Sequence, residues 1–243
     1  MSERKRIGIL TPSSNTALEP ITSAILRDLP DVTAHFSRFT VTEIALSSGA
    51  LRQFDAEKIL VAARLLADAK VDVICWSGTS AGWLGFESDV HLAKTITDAT
   101  GIPATSAILG LNEWLRLHQS QSLGLVTPYT ADVQEKIERN YKDAGISCIS
   151  ARPLGLHVNY EFAEVEPETL AKMIGQVATE KPDAIATYCT NLRAAHLAEK
   201  VEQGSDTVLL DTVSTTVWMA LQTIGVDPTL VRGWGRIFSG IEQ

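Results

Sequence analysis

Residues 8–12, Gly-Ile-Leu-Thr-Pro, return as residues 124–128, Gly-Leu-Val-Thr-Pro, 116 positions further along the chain. A second pair of segments follows in the same order: 72–74 precede Gly78-Thr79-Ser80, and 183–185 precede Cys189-Thr190-Asn191, an offset of 111. Ordered matches at nearly constant spacing are typical of a duplicated structural unit. The sequence therefore predicts two structurally similar lobes.

Apolar runs of strand length alternate with amphipathic stretches of helix length along the whole chain. The runs are 7–10, 71–75, 123–126, 184–188 and 207–210, and the candidate helices include 56–69, 92–100, 131–144 and 167–179. Continuous apolar strands joined by helices favour parallel sheets that are covered on both faces. We predict an α/β fold of two similar lobes, each a parallel sheet flanked by helices. The lobes are related by a pseudo-twofold axis, with the active site in the cleft between them.

We expect residues 1–115 plus 218–243 to form the first lobe and residues 116–217 to form the second. Ligands of open parallel sheets bind beyond the carboxyl ends of the strands, and the repeated segments lie just after predicted strands. The two lobes should therefore present these segments to one shared cleft.

Composition and charge restrict the partners. The chain has 243 residues, 45% of them hydrophobic, a formal net charge of −8 and a pI of about 5.1. Because binding to nucleic acid or to anionic lipid depends on Lys and Arg neutralising phosphate, neither partner is expected. The apolar stretch near the N-terminus is too short for a signal peptide or a membrane span, which predicts a cytoplasmic protein. A homo-oligomer is compatible with the sequence.

Cysteine and histidine spacing argues against disulfides and metals. Cys75, Cys148 and Cys189 are odd in number and widely spaced, unlike a disulfide framework or a zinc site. The five histidines show no HExxH spacing, so no metal site is expected. The chain also lacks both phosphate-binding glycine motifs, GxxxxGK[ST] and GxGxxG after the first strand, and we predict that it uses no cofactor.

Two loops carry groups that could do chemistry. In the loop 77–82, glycines permit close backbone approach, and the hydroxyls of Thr79 and Ser80 could donate to a carboxylate. The alternative interpretation is a glycine-rich turn whose Ser or Thr caps a helix.

In the second loop, Cys189 ends a predicted buried strand, where the N-terminus of a following helix would lower the thiol pKa. The alternative is a buried structural cysteine. The repeat favours chemistry, since it places Cys189 at the same cleft as Gly78.

Five ordered segments resemble a known group of enzymes: 12–16 (PSSNT), 78–85 (GTSAGWLG), 127–129 (TPY), Asn159, and 189–191 (CTN). Together they resemble the aspartate/glutamate racemase superfamily, in the branch of maleate cis-trans isomerase and arylmalonate decarboxylase. The resemblance covers nearly the whole chain. It implies two pseudo-symmetric lobes that each typically offer one cysteine, so that the pair flanks the substrate carbon.

This sequence departs from that pattern at one position. The first-lobe cysteine is replaced by Gly78, which leaves Cys189 as the one thiol in register. A one-thiol site resembles arylmalonate decarboxylase rather than a racemase. Cys75 does not substitute, because an offset of three residues on an extended strand points the side chain to the opposite face.

The resemblance also implies roles for other residues. Thr79, Ser80 and Tyr129 match positions that bind the substrate carboxylate and its enediolate, with backbone N–H groups near Ser80 and Thr190 completing the pocket. Asn15 and Asn159 match carboxylate-binding asparagines of maleate isomerase. The substrate-binding set is thus predicted to comprise Asn15, Gly78, Thr79, Ser80, Tyr129, Asn159, Thr190 and Asn191, with Cys189 catalytic.

Three functions remain open at this point. The first is decarboxylation of a substituted malonate or related dicarboxylate, in which Cys189 protonates one face of the enediolate. The second is cis-trans isomerisation or racemisation of a small dicarboxylate or amino acid; two-base racemisation needs an acid and a base on opposite faces. The third is a non-catalytic small-molecule binder with the same cleft, because a shared fold does not guarantee shared chemistry.

Overall fold

Two four-stranded parallel sheets form the core of the chain. The computed structural model describes residues 4–239; the outermost positions of the predicted first lobe, 1–3 and 240–243, lie outside this range. The strands of the first sheet are β1 (Lys5–Pro12), β2 (Val32–Phe39), β3 (Val73–Trp76) and β4 (Ala104–Ser106). Those of the second are β5 (Ser122–Thr127), β6 (Ser147–Pro153), β7 (Ala184–Thr187) and β8 (Val208–Asp211).

The two sheets have the same topology. The strand order is β2-β1-β3-β4 in one and β6-β5-β7-β8 in the other, and every pairing within them is parallel. The central strands β3 and β7 are both four residues long. The predicted α/β fold of two similar lobes is confirmed. The exact residues that bound the lobes stay a prediction.

Helices connect the strands and cover the sheets. They are α1 (Leu18–Ile25), α2 (Ser48–Leu51), α3 (Ala56–Asp68), α4 (Ala81–Leu84), α5 (Glu87–Thr100), α6 (Ala107–Leu117), α7 (Ala131–Asp143), α8 (Asn159–Phe162), α9 (Pro167–Ala178), α10 (Ala198–Glu202) and α11 (Thr212–Thr223). Short 3-10 turns lie at 26–28, 52–54, 195–197, 228–230 and 236–238. All four predicted helices are present, within a few residues of their predicted ends. No helix within residues 4–239 is long and apolar enough to cross a membrane.

The repeated glycine has a packing role in both lobes. A Cβ on Gly8 of β1 would lie 2.9 Å from Val71 Cγ2 and 3.2 Å from Leu66 Cδ1, and a Cβ on Gly124 of β5 would lie 2.3 Å from Val177 Cγ1. Leu66 belongs to α3 and Val177 to α9, so each glycine lets a helix approach the centre of its sheet. Part of the repeat thus reflects helix-to-sheet packing.

Three strands were not among the predicted elements. β2 and β6 lie at the outer edges of their sheets, and both alternate polar with apolar residues and are only partly buried. β4 is just three residues long. Edge strands need no continuous apolar run, because one face or one side meets solvent. The pattern that identified the buried strands could therefore not find them.

Helix α11 joins the two lobes. Helix α11 follows β8 of the second sheet but packs against α1, α6, β3 and β4 of the first lobe. At its crossing with α6, Thr215 Oγ1 donates to Ala107 O at 2.8 Å. A Cβ on Gly110 would lie only 2.5 Å from Thr215 O, so the crossing requires glycine there. This close contact fixes one lobe against the other.

Candidate active site

The Cys189 thiol lies directly after β7, where the two lobes meet. It is buried, with 4% of the residue exposed, and its Sγ accepts a hydrogen bond from Asn191 N at 3.4 Å. The neighbouring Tyr129 hydroxyl also favours the thiolate form of Cys189. Burial raises the pKa of the Cys189 thiol to about 12, against the opposing effect of these donors. The thiol is therefore protonated at neutral pH.

This protonation state differs from the sequence-based expectation. We predicted that a helix beginning after Cys189 would lower the thiol pKa. Residues 190–194 instead form turns, and the next helical segment is a 3-10 turn at Ala195–Leu197. The backbone N–H groups of Asn191 and Leu192 still favour the thiolate, but desolvation outweighs them. The prediction of a lowered pKa is wrong because it left out burial.

The glycine loop of the first lobe meets the second lobe at Tyr129. Thr79 Oγ1 and the Tyr129 hydroxyl are 2.6 Å apart, and both residues are buried. Burial, and then the neighbouring Cys189, raise the pKa of the Tyr129 hydroxyl well above its ordinary value. Tyr129 is thus a neutral donor that links Thr79 to Cys189.

Ser80 does not act as a simple helix cap. It precedes α4, but its side chain makes no capping hydrogen bond. Its Oγ instead accepts a hydrogen bond from Trp76 Nε1 at 3.4 Å. Within residues 4–239, the backbone N–H groups of Ser80 and Thr190 donate to no protein acceptor. These N–H groups are available to an anion.

Asn15 joins the two lobes beside the thiol loop. Its Nδ2 donates to Thr190 Oγ1 at 3.2 Å, and Thr190 Oγ1 donates in turn to Ser77 O at 3.2 Å. Asn15 Oδ1 also accepts from Ala17 N and Leu18 N, at 3.0 and 2.9 Å, at the start of α1. The Asn15 side chain therefore caps the start of α1 and also contacts the Cys189 loop in the cleft.

Asn191 and Asn159 extend these contacts between the lobes. Asn191 Oδ1 accepts from Thr16 N at 3.0 Å, and its Nδ2 donates to Asn159 O at 2.6 Å. Asn159 Nδ2 donates to Ser14 Oγ at 2.7 Å. The structure thus brings all the predicted site residues to one region where the loops after β1, β3, β5 and β7 converge. Their catalytic and binding roles stay predictions.

The other cysteines and His157 lie apart from this region. Cys75 is fully buried in the core, and Cys148 lies half-buried on β6. Burial raises the pKa of both thiols, that of Cys148 to about 12. His157 is exposed. Among the described residues, no group of three His, Cys, Asp or Glu side chains is arranged to hold a metal ion.

Aromatic rings surround the glycine loop. Trp83 packs edge-on against Tyr129, with ring centroids 5.3 Å apart, and against Phe54 at 5.9 Å. Trp76 packs against Phe39 at 5.1 Å. Sequence reasoning missed Phe39 and Phe54. No local signal could have found them, because Phe39 ends an edge strand and Phe54 ends a short 3-10 turn.

Asp211 is a second group that sequence reasoning missed. It is fully buried at the end of β8, where its carboxylate accepts from Thr187 Oγ1 at 2.7 Å and from Val213 N at 2.9 Å. Burial raises its pKa to about 6. Its charge also raises the pKa of Cys189. The one available signal was an acidic residue between an apolar run and a helix, which is an ordinary cap position.

The fold and site define a class of protein: two pseudo-symmetric α/β lobes with a buried thiol and a set of neutral donors between them. Comparison with known proteins identifies the family of this chain. A family model described as arylmalonate decarboxylase matches residues 9–238. The chain therefore belongs to the arylmalonate decarboxylase family and is an enzyme.

The relatives of this chain are named for two different activities. A maleate isomerase of Pseudomonas putida is 25% identical over 252 residues, covering 99% of each chain. An arylmalonate decarboxylase of Bordetella bronchiseptica is 23% identical over 237 residues, covering 96% of this chain and 95% of the relative. The crystal structure of a cysteine-to-alanine variant of a Pseudomonas putida maleate isomerase with maleate superposes with a TM-score of 0.90. It is 23% identical and covers 98% of this chain and 99% of the other. The relatives thus include a lyase and an isomerase.

Proposed function

We propose that this protein decarboxylates a substituted malonate or a related dicarboxylate through an enediolate, with Cys189 as the proton donor. The observation that carries the proposal is a single thiol at the site, Cys189, with Gly78 at the paired first-lobe position and a set of neutral donors beside it. Burial holds the pKa of Cys189 at about 12, so the group is equipped to give a proton rather than to attack as a thiolate.

One substrate carboxylate binds in the donor pocket. Thr79, Ser80 and Tyr129 supply hydroxyl groups, and the N–H groups of Ser80 and Thr190 supply backbone donors. Hydrogen bonds to a charged acceptor are stronger than those between neutral groups, and burial strengthens them further. The carboxylate can therefore displace the hydrogen bond between Thr79 and Tyr129.

The second carboxylate leaves as CO2. The bond between the α-carbon and that carboxylate breaks, and its electron pair passes into the bound carboxylate to form an enediolate. Each donor fixed where this negative charge develops contributes roughly 3–4 kcal/mol in comparable sites. Such stabilisation makes the intermediate reachable by side chains and backbone groups alone.

Cys189 then completes the reaction. Its S–H bond breaks, the proton forms a C–H bond on one face of the α-carbon, and a thiolate remains. The Tyr129 hydroxyl and the Asn191 N–H donate to that sulfur, which stabilises the thiolate until it regains a proton from solvent. The single O–H of Tyr129 thus donates first to the enediolate and, once that charge is consumed, to the thiolate.

Maleate-type cis-trans isomerisation is the second candidate. The observation in its favour is the likeness to maleate isomerases, at 25% identity over nearly the full chain. The interlobe positions of Asn15 and Asn159 are also compatible with binding a second carboxylate. The glycine at position 78, where a first-lobe thiol would stand, counts against isomerisation.

Product analysis separates these candidates. We expect CO2 release from an arylmalonate well above background and no fumarate from maleate. No CO2 release, together with formation of fumarate, would replace the decarboxylase proposal with the isomerase. No turnover of either compound, with tight binding of a dicarboxylate, would support the third alternative, a non-catalytic binder.

We propose the substrate class and the lobe boundaries from the sequence and the fold. The substrate is a small carboxylate, and the lobes divide at residues 115/116 and 217/218. A cytoplasmic location and a homo-oligomeric state stay predictions.

A further inference from the structure

The two lobes differ sharply at one pair of equivalent positions beside the site. Trp76 ends β3 and Thr187 ends β7, each two residues before the paired positions Gly78 and Cys189. The first lobe therefore has a large ring followed by no side chain. The second lobe has a small hydroxyl followed by a thiol.

The Trp76 ring occupies the space that a side chain at Gly78 would need. A Cβ on Gly78 would lie 2.0 Å from Trp76 Cζ2, 2.4 Å from Cη2 and 2.5 Å from Cε2. Gly78 does not lie at positive φ, so its backbone angles do not require glycine. The steric reason for glycine at this position is the indole.

Neighbouring groups hold the indole in place. Trp76 is 1% exposed, packs against Phe39 at 5.1 Å and Phe54 at 6.4 Å, and donates from Nε1 to Ser80 Oγ. Its counterpart Thr187 instead donates to Asp211. The ring is thus fixed to the substrate-binding loop of one lobe only.

We propose that Trp76 is a specificity-determining residue that makes the site one-sided: its indole fills the place of a first-lobe thiol, so that Cys189 alone exchanges a proton with the substrate α-carbon. This inference rests on the proposed function. It implies that a glycine-to-cysteine change is insufficient by itself to create a racemase. The product should be protonated on the Cys189 face and therefore be a single enantiomer.

Racemisation would require two thiols and room for both. A thiolate on one face would take the α-proton, and the C–H electron pair would pass into the carboxylate held by Thr79, Ser80 and Tyr129. A thiol on the other face would return a proton to the carbon. Trp76→Phe removes the part of the indole nearest Gly78 and keeps an aromatic ring against Phe39, so it should make room for the second thiol.

Thermal unfolding tests the steric part. Gly78→Ala should lower the Tm by roughly 5 °C or more in the wild-type background, and by less than half as much in Trp76→Phe. Gly82→Ala is the matched control: its Cβ would lie 2.6 Å from the Tyr188 ring, so its cost should be the same in both backgrounds. An equal cost of Gly78→Ala in both backgrounds would overturn the inference.

Isotope exchange tests the chemical part. The double variant Trp76→Phe/Gly78→Cys should racemise and deuterate one enantiomer of a 2-arylpropanoate in D2O at least about tenfold faster than Gly78→Cys alone. Equal rates in the two variants, or a folded double variant without exchange in an enzyme that releases CO2 from arylmalonates, would overturn it. Absence of CO2 release from the wild-type enzyme would reject the proposed function instead, and the Tm comparison would then decide the role of Trp76.

Discussion

At the scale of single residues, Cys189 combines a chemical role with a nearly hidden side chain. We predict that Cys189→Ala lowers turnover of the true substrate by more than about a thousandfold, as loss of a catalytic group does elsewhere. The fold should persist, because the lost atom leaves a small cavity at the site. Turnover and thermal unfolding measured on one preparation test both statements.

Cys148→Ala is the matched control, since that thiol lies half-buried on the edge strand β6. It should leave turnover unchanged. A Cys189→Ala variant that keeps more than about a tenth of wild-type activity would remove Cys189 from the mechanism.

The raised pKa of Cys189 makes a second residue-scale prediction. Because the thiolate is the form that reacts, alkylation by iodoacetamide at pH 7.5 should be at least about tenfold slower than that of a free thiol. The rate should increase about tenfold for each pH unit and should not level off below the thiol pKa of about 12. Peptide mass mapping of the labelled Cys189 provides the measurement. Labelling as fast as glutathione at pH 7.5 would mean that the pKa of Cys189 is not raised above that of a free thiol.

The fate of individual residues shows where sequence reasoning succeeds. Thr79, Tyr129 and Cys189 were brought together by ordered motifs, and in the structure Thr79 and Tyr129 share a hydrogen bond beside the Cys189 thiol. The direction of the Cys189 pKa shift was wrong, because desolvation depends on every group that packs around the sulfur. The steric effect of Trp76 on Gly78 was likewise invisible, since it arises from a side-chain direction and not from spacing.

At the scale of secondary-structure elements, Asp211 couples the start of α11 to pH. Its folded pKa of about 6 lies above the ordinary value of 3.8, so its favourable contribution is complete below pH 3.8 and is lost as the pH rises through 6. Asp211→Asn keeps a good cap and cannot ionise. Relative to wild type, its unfolding free energy should therefore increase between pH 4 and pH 7, by up to about 3 kcal/mol.

Urea denaturation at those two pH values measures the change. A difference between variant and wild type that does not depend on pH would show that Asp211 is not stabilised in its neutral form.

The crossing of α6 and α11 gives a second prediction at this scale. Gly110→Ala should destabilise the protein by roughly 1–3 kcal/mol, because the new Cβ would lie 2.5 Å from the backbone oxygen of Thr215. Gly175→Ala in α9 is the control, as nothing lies within 4 Å of its Cβ. That change should stabilise by about 0.5–1 kcal/mol. Equal effects of the two substitutions on the urea midpoint would contradict the close helix crossing.

The elements also show what a pattern can predict. Buried strands such as β7 are apolar throughout, and the run 184–188 identified it almost to the residue. Helix α11 is rich in β-branched residues, which disfavour helices in isolation, yet burial and the Asp211 cap stabilise it. Helix α11 depends on packing against the other lobe, and this tertiary packing cannot be predicted from the local sequence pattern.

At the scale of the whole molecule, the two lobes are held together through the site itself. Asn191 bonds the start of α1 and the backbone of Asn159, and Thr79 bonds Tyr129 across the lobes. The side-chain donors that face a substrate are therefore already occupied by neutral oxygen atoms of the protein, whereas the backbone N–H groups of Ser80 and Thr190 are not. A ligand must exchange with the side-chain bonds in addition to using these two N–H groups.

That exchange favours a charged ligand over its neutral isostere. A carboxylate replaces a neutral acceptor with a charged one and gains strength in each bond, whereas an amide or ester gains nothing by the same exchange. Diamides and diesters of a malonate, which offer the donor pocket no carboxylate, should therefore compete at least about tenfold more weakly than the dianion, a difference of about 1.4 kcal/mol. Competition measured by inhibition of turnover would show this, and equal potency of acid and amide would contradict it. Selectivity for anions would then originate in the hydrogen bonds that the protein makes with itself.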